Sequence, residues 1–273
     1  MKLGVIISMR DDVRKKFKEL SEMGFSACQL SCWNPELLTD ENAEIINRAK
    51  EEYNIEIVAF WAGWSGPAIW NSYDGPATLG LVPEAYRHKR FEELKKGADF
   101  AEKLEVKNVI THVGFIPENP MTYEYNSLVS LLRCLANYLK EKGQNFLFET
   151  GQETPVTLRR AIEDIGTDNL GINLDPANLI LYGKANAVDS LDVFGEFVMC
   201  LHGKDAVYPK DGKILGEEKR IGDGKVNFPA LIKRLKEIGY DGPIIIEREI
   251  SGEKQIEDIL YAKNFLEELT QED

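Results

Sequence analysis

Short apolar runs alternate with longer amphipathic stretches along this chain, and the alternation repeats eight times. The runs lie at residues 3–8, 27–31, 56–60, 108–112, 145–149, 170–174, 198–203 and 243–247. Most are unbroken apolar segments of about five residues, the pattern of parallel strands buried on both faces. Between them, apolar positions return at helical spacing over residues 11–23, 41–53, 86–103, 123–142, 156–165, 228–238 and 254–268, and more weakly over 188–197. In the stretch 228–238, Phe228, Leu231, Ile232, Leu235 and Ile238 share one face, while Lys233, Arg234, Lys236 and Glu237 face water. Gly24, Gly143, Gly166 and Gly239 stand where a left-handed C-terminal cap is wanted. Eight such units without a linker-like break predict an α/β fold, a single (β/α)8 barrel over residues 1–273. A doubly wound sheet is the competing architecture, but no G-x-G-x-x-G turn follows the first strand.

Two connections are long enough to suggest function. Residues 61–83 hold Trp61, Trp64, Trp70 and Tyr73 among Gly and Pro. So aromatic a loop predicts a lid or a sugar-stacking wall over the barrel mouth, or else a hydrophobic cluster with no ligand. Residues 205–227 are rich in Lys, Asp and Gly and carry Arg220-Ile221-Gly222-Asp223-Gly224. A solvated flexible loop accounts for that charge but not for its place between two strands with candidate site residues.

The net charge of −13 argues against nucleic-acid or anionic-membrane partners, whose affinity is drawn from Lys and Arg. Cys28, Cys32, Cys134 and Cys200 form no C-x-x-C pair, and Cys28, Cys134 and Cys200 sit in apolar segments that predict buried free thiols. Met1 leads straight into the first strand with no leader-like segment, and no stretch approaches the ~20 apolar residues of a membrane span. A soluble, cytoplasmic protein is expected, and a homo-oligomer is compatible with the sequence.

The chemistry concentrates at four strand ends. Glu149, Asp175, His202 and Glu247 each follow an apolar run at the fifth to eighth strands, where a βα barrel aims side chains into its mouth. Singly, each reads as readily as a surface, capping or core residue; jointly, they read as a site. Three carboxylates and an imidazole form an oxygen-rich donor set suited to Mn²⁺ or Mg²⁺, with Co²⁺ and Zn²⁺ as alternatives. Such an ion would bind a vicinal hydroxy-carbonyl and stabilise an enediolate, while Glu149 and Glu247 flank the substrate as a proton-transferring pair. His112, ending the fourth strand, reads as a substrate hydrogen-bond donor or a partner to a ligand. Lys204 reads equally as a substrate contact, a group orienting a carboxylate, or a salt-bridged rim lysine.

At these residues the chain resembles the xylose isomerase-like barrel superfamily, and within it the sugar phosphate isomerase/epimerase group. That group includes the D-tagatose/D-psicose 3-epimerases, hydroxypyruvate isomerase, inosose dehydratase and endonuclease IV. The resemblance spans essentially the whole chain. It is strongest at Phe148-Glu149, Leu174-Asp175, Leu201-His202, the R-x-G-x-G turn from Arg220, Gly239-Tyr240-Asp241-Gly242 and Ile246-Glu247. It implies that Glu149, Asp175, His202 and Glu247 ligate the metal, that Glu149 and Glu247 are the catalytic acid/base pair, and that Arg220 contacts substrate. Trp61, Trp64, His112, Asn178 and Lys204 complete the expected substrate contacts. The ketose 3-epimerases usually place a His where this chain has Asn178, which cannot titrate near neutrality. Endonuclease IV uses a histidine-rich trinuclear zinc site, which three His and a charge of −13 do not supply. The sequence therefore predicts a metal-dependent isomerase or epimerase of a sugar, ketose or related polyol carbonyl compound. A metal-dependent lyase or dehydratase of inosose or keto-sugar type is the alternative, and a sugar-binding barrel without turnover a third.

Overall fold

A computed structural model describes residues 1–10 and 12–271. Residue 11, where the first helix is expected to begin, lies outside them. Eight parallel strands close on themselves: β1 (Leu3–Ser8), β2 (Ala27–Cys32), β3 (Glu56–Ala62), β4 (Asn108–Thr111), β5 (Asn145–Glu149), β6 (Leu170–Leu174), β7 (Val198–Gly203) and β10 (Ile244–Ile246). Closure is made by β1, which pairs with β2 on one side and with β10 on the other, Leu3 opposite Ile244. The expected (β/α)8 barrel is therefore present. Helices α1 (Val13–Glu22), α2 (Asp40–Tyr53), α3 (Glu84–Lys103), α4 (Tyr123–Lys140), α5 (Pro155–Ile165), α7 (Ala187–Phe194), α8 (Phe228–Glu237) and α9 (Glu253–Gln271) occupy the predicted amphipathic stretches. Local chemistry sets their ends. Thr154 caps α5 by accepting from the Thr157 N–H ahead of a first-turn proline, and Gly166 closes it in the left-handed region. Gly24, Gly143 and Gly239 are likewise left-handed, with φ between 68° and 80°.

Two apolar layers result. The larger packs the outward faces of the strands against the helices, and a small one inside the barrel joins Ala59, Trp61, Ile110, Leu147 and Cys200. Strand alternation then places Glu149 and His202, two residues beyond Leu147 and Cys200, on the inward side at the C-terminal mouth. Among the described residues no helix is long and apolar enough to cross a membrane. Cys28 and Cys200 are buried as expected, but Cys134 is exposed on α4 and Cys32 is buried instead.

The structure departs from the sequence reading in its connections. Helix α6 (Pro176–Leu181) follows β6 directly. β3 runs on to Ala62, so Trp61 belongs to the strand and not to the loop. The 205–227 segment is no loose loop, because β8 (Asp205–Val207) and β9 (Glu217–Lys219) pair antiparallel within it. Its organiser is the buried Asp205 carboxylate, which accepts from the backbone N–H of Ala206, Gly222, Gly224 and Val226 at 2.8–3.1 Å. A Cβ at position 224 would lie 2.0 Å from Asp205 Oδ1, so the second glycine of the R-x-G-x-G turn is required by this close approach.

Candidate metal centre

The C-terminal ends of β5, β6, β7 and β10 bring Glu149, Asp175, His202 and Glu247 together, with one ligand atom from each within 4.8 Å of the others. Each position has a local cause. Asp175 is the N-cap of α6: its Oδ1 accepts from the Asn178 N–H at 2.9 Å, ahead of Pro176 in the first turn, which turns Oδ2 over to the cluster. Thr150 locks the ends of β5 and β6, its hydroxyl donating to the Asp175 carbonyl at 2.8 Å and accepting from the Asp175 N–H at 2.9 Å. Glu149 Oε2 accepts the Trp61 indole N–H. Glu247 lies one residue past β10, its N–H directed to the Gly203 carbonyl.

The imidazole of His202 has two distinct edges. Its Nδ1 lies 3.1 Å from Glu247 Oε2 and 3.5 Å from both Glu149 Oε1 and Asp175 Oδ2. Its Nε2 lies 3.0 Å from the Asn173 amide and 3.2 Å from Gln29 Oε1, both fully buried in the barrel interior. With Nε2–H as the donor to Gln29, the Nδ1 lone pair is available to a cation. Asp175 Oδ2 and His202 Nδ1 are buried and make no well-directed hydrogen bond. Two orphaned ligand atoms, in a group with two further carboxylates, fit a divalent ion.

Burial and charge divide the two outer carboxylates. Glu149 is pushed up to about 8, by burial first and then by the negative charge of Glu247 and Asp175. Burial would raise Glu247 too, but Lys204 and then His202 outweigh it and hold Glu247 well below the carboxylate range. His202, against the opposing effect of burial, is pushed up to about 10 by Glu149, Asp175 and Glu247. Lys204 is buried 3.2 Å from Glu247, 3.5 Å from Asp175 and 2.7 Å from Glu249, and these carboxylates keep it charged. Burial lowers His112 to about 4, so its ring is neutral near pH 7, with Nε2 3.6 Å from Glu149 Oε1.

Glu149 and Glu247 of the cluster line a cavity of about 1030 Å³. Trp61, Trp64, His112, Asn178 and Lys204 all line it, whereas Arg220 is not among its lining residues. The Arg220 guanidinium pairs with Asp223 at 3.0 Å and lies 4.0 Å over the Tyr261 ring. Sequence reasoning missed Trp33, whose ring lies 4.5 Å from Trp61, 5.4 Å from Trp64 and 5.9 Å from Trp70. All four tryptophans thus form one wall. The signal was available, since Trp33 follows the second strand as Glu149 ends the fifth. Gln29, Tyr182 and Glu249 were also missed. The mouth is accordingly split: β5, β6, β7 and β10 supply ionic groups, and β2, β3 and the loop after β3 supply aromatic ones.

Known proteins place this arrangement. A crystal structure of a xylose isomerase domain protein from Planctomyces limnophilus is 32% identical, covers 98% of this chain and 96% of its own, and superposes with a TM-score of 0.92. An uncharacterised protein of Methanocaldococcus jannaschii is 27% identical over 98% of this chain and 89% of its own length. Inosose dehydratase of Lacticaseibacillus casei is 25% identical over 53% of this chain and 54% of its own length. A sequence profile of the xylose isomerase-like TIM barrel matches residues 17–269, and the chain belongs to that family.

Proposed function

We propose that the protein is a divalent-metal-dependent isomerase or epimerase of a sugar, ketose or related polyol carbonyl compound. The observation that carries the reading is the convergence of Glu149, Asp175, His202 and Glu247, one ligand atom from each within 4.8 Å of the others, with Glu149 and Glu247 also lining the cavity. Two carboxylates beside one cation are suited to move protons on either side of a substrate. Glu247, ionised beside Lys204, takes the proton from the carbon next to the carbonyl. Glu149, facing the substrate from the other side, takes up the proton of a substrate hydroxyl and returns it to carbon. Strands β6 and β7 separate the two in the barrel, which lets them flank a bound substrate. Glu149, Asp175, His202 and Glu247 would hold the ion, Mn²⁺ or Mg²⁺ from the donor set, which supplies positive charge against the developing enediolate. Neutral His112 donates to a substrate oxygen, and Asn178 and Lys204 orient hydroxyls at the cavity wall. Trp61 and Trp64 exclude water beside them.

The partial likeness to inosose dehydratase favours a second reading, in which the same base removes the proton and a hydroxide departs. Both are tested by reconstitution with Mn²⁺ and incubation with ketoses, inososes and oxidised sugars in D2O, followed by NMR. Deuterium incorporation without loss of water supports the isomerase or epimerase; a dehydrated product supports the lyase. Carbon exchange that persists in both Glu149→Gln and Glu247→Gln overturns the proton-transfer assignment.

A further inference from the structure

We infer that the substrate is a two-ring carbohydrate, with a sugar carbonyl presented to the acidic cluster and a second ring lying on the tryptophan wall. The inference rests on the proposed function only in seating the carbonyl end at the cluster. Size is the first argument. The cavity, about 1030 Å³, stands at the top of the ~300–1,000 Å³ range of clefts that enclose drug-sized ligands. A free hexose has about half the non-hydrogen atoms of a disaccharide and would leave much of that volume to water.

The wall is the second argument. Trp61 bonds to Glu149 and belongs to the reacting end, but Trp70 stands at the rim and is 38% exposed. Its ring is fixed on three sides: against Trp33 edge-on at 5.9 Å, against Trp64 stacked at 6.3 Å and against His112 at 5.2 Å. A rigid indole, partly open to solvent at the mouth of a cavity, is a stacking platform for the apolar face of a sugar ring. Across the mouth, Leu181 from α6 and Leu215 from the hairpin segment add apolar lining.

The test is calorimetric titration of the Mn²⁺-loaded protein with D-fructose and with the ketose disaccharides turanose, lactulose and isomaltulose, which carry the second ring at different oxygens. At least one disaccharide is expected to bind about tenfold more tightly than fructose, as one added aromatic stacking contact implies. Trp70→Ala is expected to bring that ratio to near one, and Trp70→Phe to retain most of it. Equal affinity for fructose and every disaccharide overturns the inference, as does a ratio that Trp70→Ala leaves unchanged. Deuterium exchange on the same sugars separates this outcome from the proposed reaction. A disaccharide preference without exchange on any sugar sinks the reaction and leaves the two-ring site standing. Exchange with equal efficiency on fructose and the disaccharides does the reverse.

Discussion

Arg90 holds the aromatic half of the mouth in place, and its removal is the sharpest test of how that wall is built. It projects from α3 and is fully buried. Its guanidinium donates to four carbonyls of the segment after β3: Ser65 at 3.1 Å, Pro67 at 2.8 Å, Thr78 at 2.7 Å and Gly80 at 2.6 Å. It also lies 4.0 Å over the Trp64 ring. Burial lowers its affinity for the proton to about 10, so it remains charged at neutral pH. Arg90→Met keeps much of the side-chain bulk and removes all four bonds. At about 1.5 kcal/mol for each bond from a charged donor, the loss is about 6 kcal/mol if every carbonyl stays dry. The bonds to Ser65 and Pro67 are partly buried, and water can replace them. Those to Thr78 and Gly80 are buried and set a lower bound of about 3 kcal/mol. Urea unfolding measures the total, and hydrogen exchange locates it: amides 63–82 should lose protection while the strands β5 to β7 keep theirs. A loss below about 1 kcal/mol with unchanged exchange in this segment would refute the assignment of Arg90 as its clasp.

Two further predictions concern protons. A bound cation requires Glu149 and His202 deprotonated, whereas the metal-free site favours protonation of Glu149 up to about pH 8 and of His202 up to about pH 10. Metal binding near pH 7 should therefore release about two protons and tighten as pH rises, and calorimetry in buffers of different ionisation enthalpy reads this directly; no net proton release would count against these four residues as the ligands. Buried Glu153, beside the end of β5, is pushed up to about 8 by burial. Because the shift is upward, its contribution to stability is complete below about pH 4.5 and falls away as pH climbs through about 8, a change of roughly 4–5 kcal/mol. Glu153→Gln should flatten the stability profile between those limits and be the more stable protein at pH 9; parallel profiles for the two would show that this carboxylate does not titrate as described.

The barrel and its acidic cluster were legible because both follow from short-range periodicity. An unbroken apolar run gives the strand, and alternation by two carries Leu147 to Glu149 and Cys200 to His202, so the inward register needs no distant information. What stayed hidden depends on contacts made across the fold. Helix α6 is too short to show a period, although Asp175 followed by Pro176 is a cap signal, and here the cap residue is also a candidate ligand. The stacking of Arg220 on Tyr261 of α9 is likewise a contact that nothing near Arg220 in the chain announces. Arg90 sits among charged neighbours on α3 and looks solvated until the loop after β3 closes over it. In the R-x-G-x-G turn, Gly224 is required by the close approach of the Asp205 carboxylate, a partner at the far end of the segment.

The split of the mouth between ionic and aromatic strands bears on how such a protein diversifies. The candidate metal ligands come from the second half of the chain, whereas the aromatic lining of the cavity comes mainly from the first. Trp64 and Trp70 make no hydrogen bond to the carboxylates of the cluster, and drift in the loop after β3 is buffered because Arg90 grips main-chain carbonyls rather than side chains. The aromatic half of the mouth can thus be remodelled on a fixed main-chain frame while the acidic cluster on the other half keeps its place.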